Sequence, residues 1–486
     1  MPILSLILWT PLVGVLVVLL LPRQRPGLIK AVALAFSAIS LVLSYGLLLN
    51  FDSGNAEPQF SERMEWIPEL GMTYSLGVDG LSLPLVLLAS LMAMVALVAS
   101  LGVHERVKGY FAWFLLLEFS MLGVFMAQDW FLFYVFFEVG LVPMFFLIGL
   151  WGSERRDLAA MSFFLYTLAG SILILLGIIA IYLNSEPNTF DMRELEAQAS
   201  GWTRSFQIAP FLAFFVGFAV KIPAFPLHGW LPLAHVEAPT PVSIVLSAVL
   251  LKMGVYGLLR VSGVLPLGLE WFSPALMAVA LITIIYGALL AWRQTDLKAM
   301  VAFSSINHMG FCLMGIAALN ATGFTGATLQ MVTHGIITGA LFLLVGALYD
   351  RTHVRDVNEF GGLAARVPRL AVLMSLALLA SMGLPGLAQF VSEFHALVGA
   401  YDRFGLYILI ASVGILIAAA YSLRAIGSMF LGALNPRWSN LADLRGSELV
   451  AAVPLALLTI VLGLYPSILI DLTDATITRM AAPFSE

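Results

Sequence analysis

The stretch Gly217–Arg260, GFAVKIPAFPLHGWLPLAHVEAPTPVSIVLSAVLLKMGVYGLLR, decides how the chain is read. Its flanks are apolar enough for membrane helices, yet Lys221 and Lys252 sit inside them and Pro223, Pro226, Pro232 and Pro239 interrupt them. A lysine at the centre of a membrane helix costs about 2.5–3.5 kcal/mol on insertion scales. A counter-charge or a chain of water must offset that cost, and a lysine held that way is suited to carrying a proton. A structural ion pair inside a bundle would explain one such lysine. Glu138, His308, His334 and Glu393 also lie in apolar surroundings, and a row of titratable groups at one depth favours transport.

Composition sets the class. Of 486 residues 60% are hydrophobic and only 11% charged, with a mean hydropathy of +0.97, far from soluble domains. Apolar runs of about 20 residues, the length of a membrane helix, recur from end to end. We therefore expect one polytopic unit, 1–486, with no soluble domain. The single cysteine, Cys312, excludes a disulfide framework and iron–sulfur ligation. No Gly-Lys-Ser/Thr loop, dinucleotide fingerprint or His-Glu-x-x-His occurs, so nucleotide binding and zinc hydrolysis have no support.

Reading apolar runs between charged or Pro/Gly-rich breaks predicts an all-α fold of fourteen helices. They lie near 2–22, 28–50, 76–102, 110–127, 129–151, 160–184, 206–238, 241–263, 272–292, 299–319, 325–349, 370–400, 405–431 and 449–470. The first run has no cleavage pattern and reads as a retained span. Fifteen of the 24 basic residues fall in odd-numbered loops, five in even loops and the C-terminal tail, and four (Lys221, Lys252, Arg260, Arg424) within helices. That bias predicts both termini outside, periplasmic in a bacterial inner membrane.

The seventh helix meets Pro223 and Pro226 after Lys221, and the twelfth meets Pro385 before Glu393. Each proline removes an amide donor and clashes with the preceding turn. Freed backbone at membrane depth is tolerated only where protein or water covers it, so both breaks predict polar cavities near the midplane. Their spacing of five helices predicts two inverted five-helix repeats, helices 4–8 and 9–13, with cores about 110–263 and 272–431. Two unrelated proline kinks are the simpler alternative.

Three stretches, FLFYVFFEVGLVPMFFLIGLWG (131–152), the opening segment and TDLKAMVAFSSINHMGF (295–311), closely resemble the antiporter-like membrane subunits of NADH-quinone oxidoreductase, respiratory complex I. GLPGLAQFVSEF (383–394) does so too, and the likeness runs over nearly the whole chain. Glu393, where sister subunits usually carry lysine, and the lack of a long lateral C-terminal helix point to the chain M type, the counterpart of mitochondrial subunit 4. The resemblance implies that Glu138 pairs with Lys221, that Lys252 relays protons inward, and that His308 and His334 continue a hydrated axis to Glu393 as terminal exchange residue. A carboxylate near a lysine raises its hold on the proton, and separating the two lowers it, so one movement can switch Lys221 between holding and releasing. Histidine can shuttle in either direction.

One departure is Leu233 in WLPLAH, where relatives carry an acidic residue, which puts in doubt a proton uptake route through that loop. His228, His235 and Glu237 cluster in sequence and could suggest a metal, but prolines break their spacing and the family binds none there. Glu118 is either a lateral link to a neighbouring subunit or a satisfied polar contact. Arg260 and Arg424, near helix ends, are expected to snorkel. The function implied is proton translocation within a multisubunit NADH-quinone oxidoreductase, a translocase with no redox centre in this chain. Flavin, iron–sulfur clusters and quinone are expected in partner subunits. The expected partners are chain L and N type membrane subunits and lipid, with no nucleic acid. A multisubunit cation/proton antiporter or a membrane-bound hydrogenase complex is the alternative, because fold and buried charge do not separate them.

Overall fold

The computed structural model describes residues 2–485, which are mainly helical. Among the described residues, twelve helical stretches are long and apolar enough to cross a membrane. One of these, Ala388–Phe430, holds two helices, Ala388–Phe404 and Leu409–Phe430, joined by a single 3-10 turn. Several helices start on side-chain caps. Asp129 accepts from the amides of Phe131 and Leu132, Asp296 from Ala299 and Asn320 from Gly323, each satisfying donors that a helix start leaves free.

The structure departs from fourteen continuous rods where proline predicted trouble. The expected 206–238 segment is a helix, Arg204–Lys221, an irregular turn and a second helix, Trp230–Glu237. The expected 370–400 segment divides likewise into Pro368–Ser381 and Ala388–Phe404. Both breaks recapture their polar groups inside protein. The Val220 carbonyl accepts from the Trp230 indole at 2.9 Å, the Phe225 amide donates to Thr283 Oγ1 at 3.1 Å, and the Ser381 carbonyl accepts from the Gln389 amide at 3.0 Å.

An all-α reading also misses a β-hairpin. Strand β1 (Gln59–Ile67) pairs antiparallel with β2 (Met72–Val78) through a turn in which Gly71 takes φ +65°. The hairpin does mechanical service at one end of the bundle. Its Glu62 carboxylate accepts from the amides of Leu4 and Ser5 at 2.7 and 3.1 Å, setting a negative charge on the start of helix Ile3–Leu20. After the last expected span, a further helix, Ser467–Ala481, folds back on the bundle.

The core is organised around the 32-residue helix Ala321–Thr352, which touches both halves of the second broken helix, Leu297–Ala317, Ser447–Leu464 and Ser467–Ala481. It is buried on all sides and mainly apolar, the pattern of an interior span, while carrying buried Gln330, Thr333 and His334. Close approach rests on small residues. A Cβ on Gly399 would lie 2.3 Å from the Gly323 nitrogen, and one on Gly326 2.4 Å from that of Ala396. Because backbone rather than a movable side chain would be struck, Gly399→Ala should cost about 1–3 kcal/mol. Reduced thermal stability and assembly of Gly399→Ala, beside an unaffected Gly427→Ala whose added Cβ meets nothing within 4 Å, is the expected result; equal behaviour of the two would contradict this packing.

Candidate functional site

Lys221 is the last residue of helix Arg204–Lys221 and is 2% exposed. Its ammonium lies over the rings of Phe137 and Phe163, at 5.0 and 5.5 Å from their centroids, an arrangement that partly stabilises a desolvated cation. Glu138 acts on Lys221 through space, but the two do not approach within the 4.0 Å of an ion pair. Glu138 is half-buried, and its Oε1 is enclosed without a hydrogen-bond partner. In this conformation the implied pair stands apart.

Lys252 is fully buried. The helix before it changes winding, with a π-helical turn over Leu246–Leu250 between Thr240–Val245 and Leu251–Val264. A π turn displaces the usual backbone pairing and turns up often at functional sites. Here the Lys252 ammonium takes the carbonyl of Ser247 and also contacts His334 Nδ1 at 2.7 Å. A charged lysine can only donate, so it leaves Nδ1 of His334 as acceptor and the ring proton on Nε2. The contact holds one proton between two bases. His334 Nε2 is buried and without a partner.

The His308 ring lies 5.6 Å from that of His334, centroid to centroid. His308 Nδ1 meets Glu393 Oε1 at 3.0 Å, and Nε2 meets Ser381 Oγ at 3.2 Å, at the end of the first half of the second broken helix. Gln389 donates to Glu393 Oε1 at 2.9 Å. The other Glu393 oxygen faces Gly383 inside the break, where a Cβ would come within 3.0 Å. Thus Lys252, His334, His308 and Glu393 form one buried polar line, with contacts at each end and a gap between the imidazoles. Lys221 stands outside it. Glu393 lies in the second half of its broken helix and Lys221 at the end of the first half of its own, so they do not occupy equivalent positions.

Two further buried titratable residues, not assigned a role from sequence, lie on or against the helices that carry His308 and His334. His235 is fully buried against Phe342, rings stacked at 4.5 Å, with neither nitrogen partnered. Lys298, counted among loop cations, is buried and donates to the Ala238 and Val236 carbonyls at the end of helix Trp230–Glu237. It faces a cavity of about 820 Å³ lined by Glu237, Asp350, His353, Arg355 and Arg445. The signal for Lys298 was its place two residues after the capping Asp296, inside the helix rather than ahead of it.

Residues 127–418 match the family model for the transmembrane part of NADH:quinone oxidoreductase/Mrp antiporter proteins. The chain belongs to this family. NADH-quinone oxidoreductase subunit M of Rhodobacter capsulatus is 41% identical over 462 residues, covering 93% of this chain and 90% of that protein. A chain of respiratory complex I from Thermus thermophilus with bound NADH superposes over 100% of both chains, with a TM-score of 0.91 and 30% identity. A chain of the Mrp complex from Dietzia sp. has a TM-score of 0.86 at 21% identity over 99% of this chain and 98% of that one, a likeness of fold alone.

In this family member Arg260 does not snorkel. It is 5% exposed and pairs with fully buried Asp79, Nη1 to Oδ2 at 2.6 Å and Nη2 to Oδ1 at 2.8 Å. Sequence reading missed the pair because 181 residues separate its members and Asp79 falls inside the expected third helix, 76–102. Burial pushes the Asp79 carboxyl up, but the Arg260 charge and bonds from Arg260 and Ser82 outweigh it and hold it below the ordinary carboxylate range. Arg424 is half-buried and donates from Nη2 to the Gln294 carbonyl at 2.6 Å, with its Nε left without a partner. Glu118 is fully buried and accepts from Ser37 at 3.1 Å, so it does not reach the chain's lateral surface as a link would require. His228, His235 and Glu237 do not converge. His228 packs on Phe225 and Tyr286, and Glu237 binds Ser153 and Arg155.

Replacing Lys298 by methionine keeps volume but removes the donor to two carbonyls, an expected loss of about 1–3 kcal/mol. Thermal unfolding of the solubilised protein checks this; an unchanged transition would show that the contact carries no stability.

Proposed function

We propose that this chain is a proton-translocating membrane subunit of an NADH-quinone oxidoreductase, driven by redox chemistry in partner subunits. The family match and the identity to the Rhodobacter protein support the assignment. What carries the mechanism is the buried line from Lys252 through His334 and His308 to Glu393. When Glu138 draws near, Lys221 holds its proton; when it withdraws, Lys221 gives it up toward Lys252. Lys252 and His334 then share a proton that passes through the gap to His308 and on to Glu393, the terminal exchange group. Flavin, iron–sulfur clusters and quinone belong to other subunits, and chain L and N type subunits flank this one.

The fold is read as fourteen crossings in two inverted repeats, each broken helix counting once. Support comes from a recurring motif: capping Asp129 forms a β-bridge with Asp191, and capping Asp296 forms one with Asp356, each partner capping a further turn. The excess of Arg and Lys in the odd-numbered loops supports reading the end with the cavity beside Lys298 as cytoplasmic and both termini as periplasmic, in a bacterial inner membrane.

In assembled complex, Lys221→Ala should abolish proton pumping coupled to quinone reduction; normal pumping would remove Lys221 from the mechanism. Glu393→Gln keeps size and hydrogen bonding but cannot ionise, so pumping should fall sharply, and full coupled activity would make Glu393 structural. Lys252→Arg fixes a charge that cannot leave at working pH. Pumping and quinone reductase activity should both drop, whereas wild-type values would show that Lys252 need not release a proton.

A further inference from the structure

The two ends of the helix carrying Lys252 differ in kind. Toward the larger cavity lie His235 and Lys298, side chains able to release a proton. Toward the other end the same helix carries Arg260, eight residues beyond Lys252 and so about 12 Å along the axis. Beyond Arg260 a second cavity of about 440 Å³ opens at Gly263, lined by Glu57, Arg193, Glu196 and Arg479. A Cβ on Gly263 would lie 2.9 Å from the Glu196 carboxylate, so charge reaches to within a turn of Arg260. Between Arg260 and Lys252 stands Tyr256, its ring 4.9 Å beneath the guanidinium and its hydroxyl on the Phe125 carbonyl at 3.3 Å. Polar groups thus run from Lys252 to the second cavity, a path by which a proton could escape without performing work.

We infer that the Asp79–Arg260 ion pair is the barrier on this path, keeping protons on Lys252 from the second cavity and turning them sideways to His334. This rests on Lys252 being a proton carrier. Arginine stays protonated in proteins, so Arg260 cannot pass a proton by losing its own. Asp79 cannot readily accept one, since its carboxylate takes both guanidinium bonds and the amides of Leu81 and Ser82 at 3.1 and 3.0 Å. The pair also ties the helix that carries Lys252 to the loop before Leu83. A merely structural pair would hold the helix equally well, but its removal would not open a leak.

The test is passive proton permeability of sealed vesicles containing the whole complex, without NADH, under an imposed potassium diffusion potential and with a pH-sensitive dye inside. The double variant Asp79→Asn/Arg260→Met removes both charges and strands neither; Arg260→Lys retains the charge and the contact but supplies a group that can deprotonate. Several-fold faster proton flux is expected in the double variant and a smaller rise in Arg260→Lys, with quinone reductase activity retained. Adding Lys252→Met to either should return the flux to the wild-type level. Wild-type tightness of assembled Arg260→Lys, or a leak indifferent to Lys252, overturns the inference even if the double variant does not assemble. If Lys252→Arg and Glu393→Gln leave pumping intact, the buried line itself fails; if they abolish pumping while the Arg260 variants stay tight, only the barrier fails.

Discussion

An ammonium group with no lipid or bulk water to receive it must find its partners in protein, and for Lys252 those are the Ser247 carbonyl and His334. The first exists because a π turn shifts the backbone just ahead of the lysine, and the second because the central helix Ala321–Thr352 runs buried beside it. Neither partner is a counter-ion. A carboxylate at contact distance would have fixed the charge in place, whereas a neutral carbonyl and a second base leave the proton free to move. The central helix in turn must be glycine-rich where Ala388–Phe404 crosses it, since that crossing brings Glu393 to His308.

The same constraint explains why each broken helix is lined as it is. Proline frees carbonyls and amides that cannot remain bare at membrane depth. At the first break an indole and a threonine hydroxyl take them up; at the second, Gln389 does so while also touching Glu393 and His308. Backbone repair and the proposed proton line therefore share side chains at the second break. Movement of one half of that helix would disturb the His308–Glu393 contact directly.

The sequence reading identified the two buried lysines, the histidines, Glu393 and both proline breaks because each sets a polar or helix-breaking residue inside an apolar run. It went wrong where contacts depend on distance in the chain. Arg260 looked like a helix-end cation because its partner Asp79 lies in a turn before a different helix. His235 was given no role, because its burial against Phe342 depends on a helix about a hundred residues further along the chain. The β-hairpin was legible in principle, in alternating residues around Gly71, but the end of its second strand, from Leu76, was absorbed into the expected third helix. Nothing in VLSAVLLK announces a π turn rather than an α turn, since that choice belongs to the packing around Lys252.

Glu393 gives the most direct access to the central claim, because its carboxyl is buried, contacts His308, and must change protonation or hydrogen bonding each time a proton passes. Infrared difference spectroscopy of assembled complex, with and without NADH-driven turnover, should show a buried-carboxyl band that changes during turnover and is missing from Glu393→Gln. A difference spectrum identical in wild type and Glu393→Gln, with pumping proceeding, would contradict proton passage along this line.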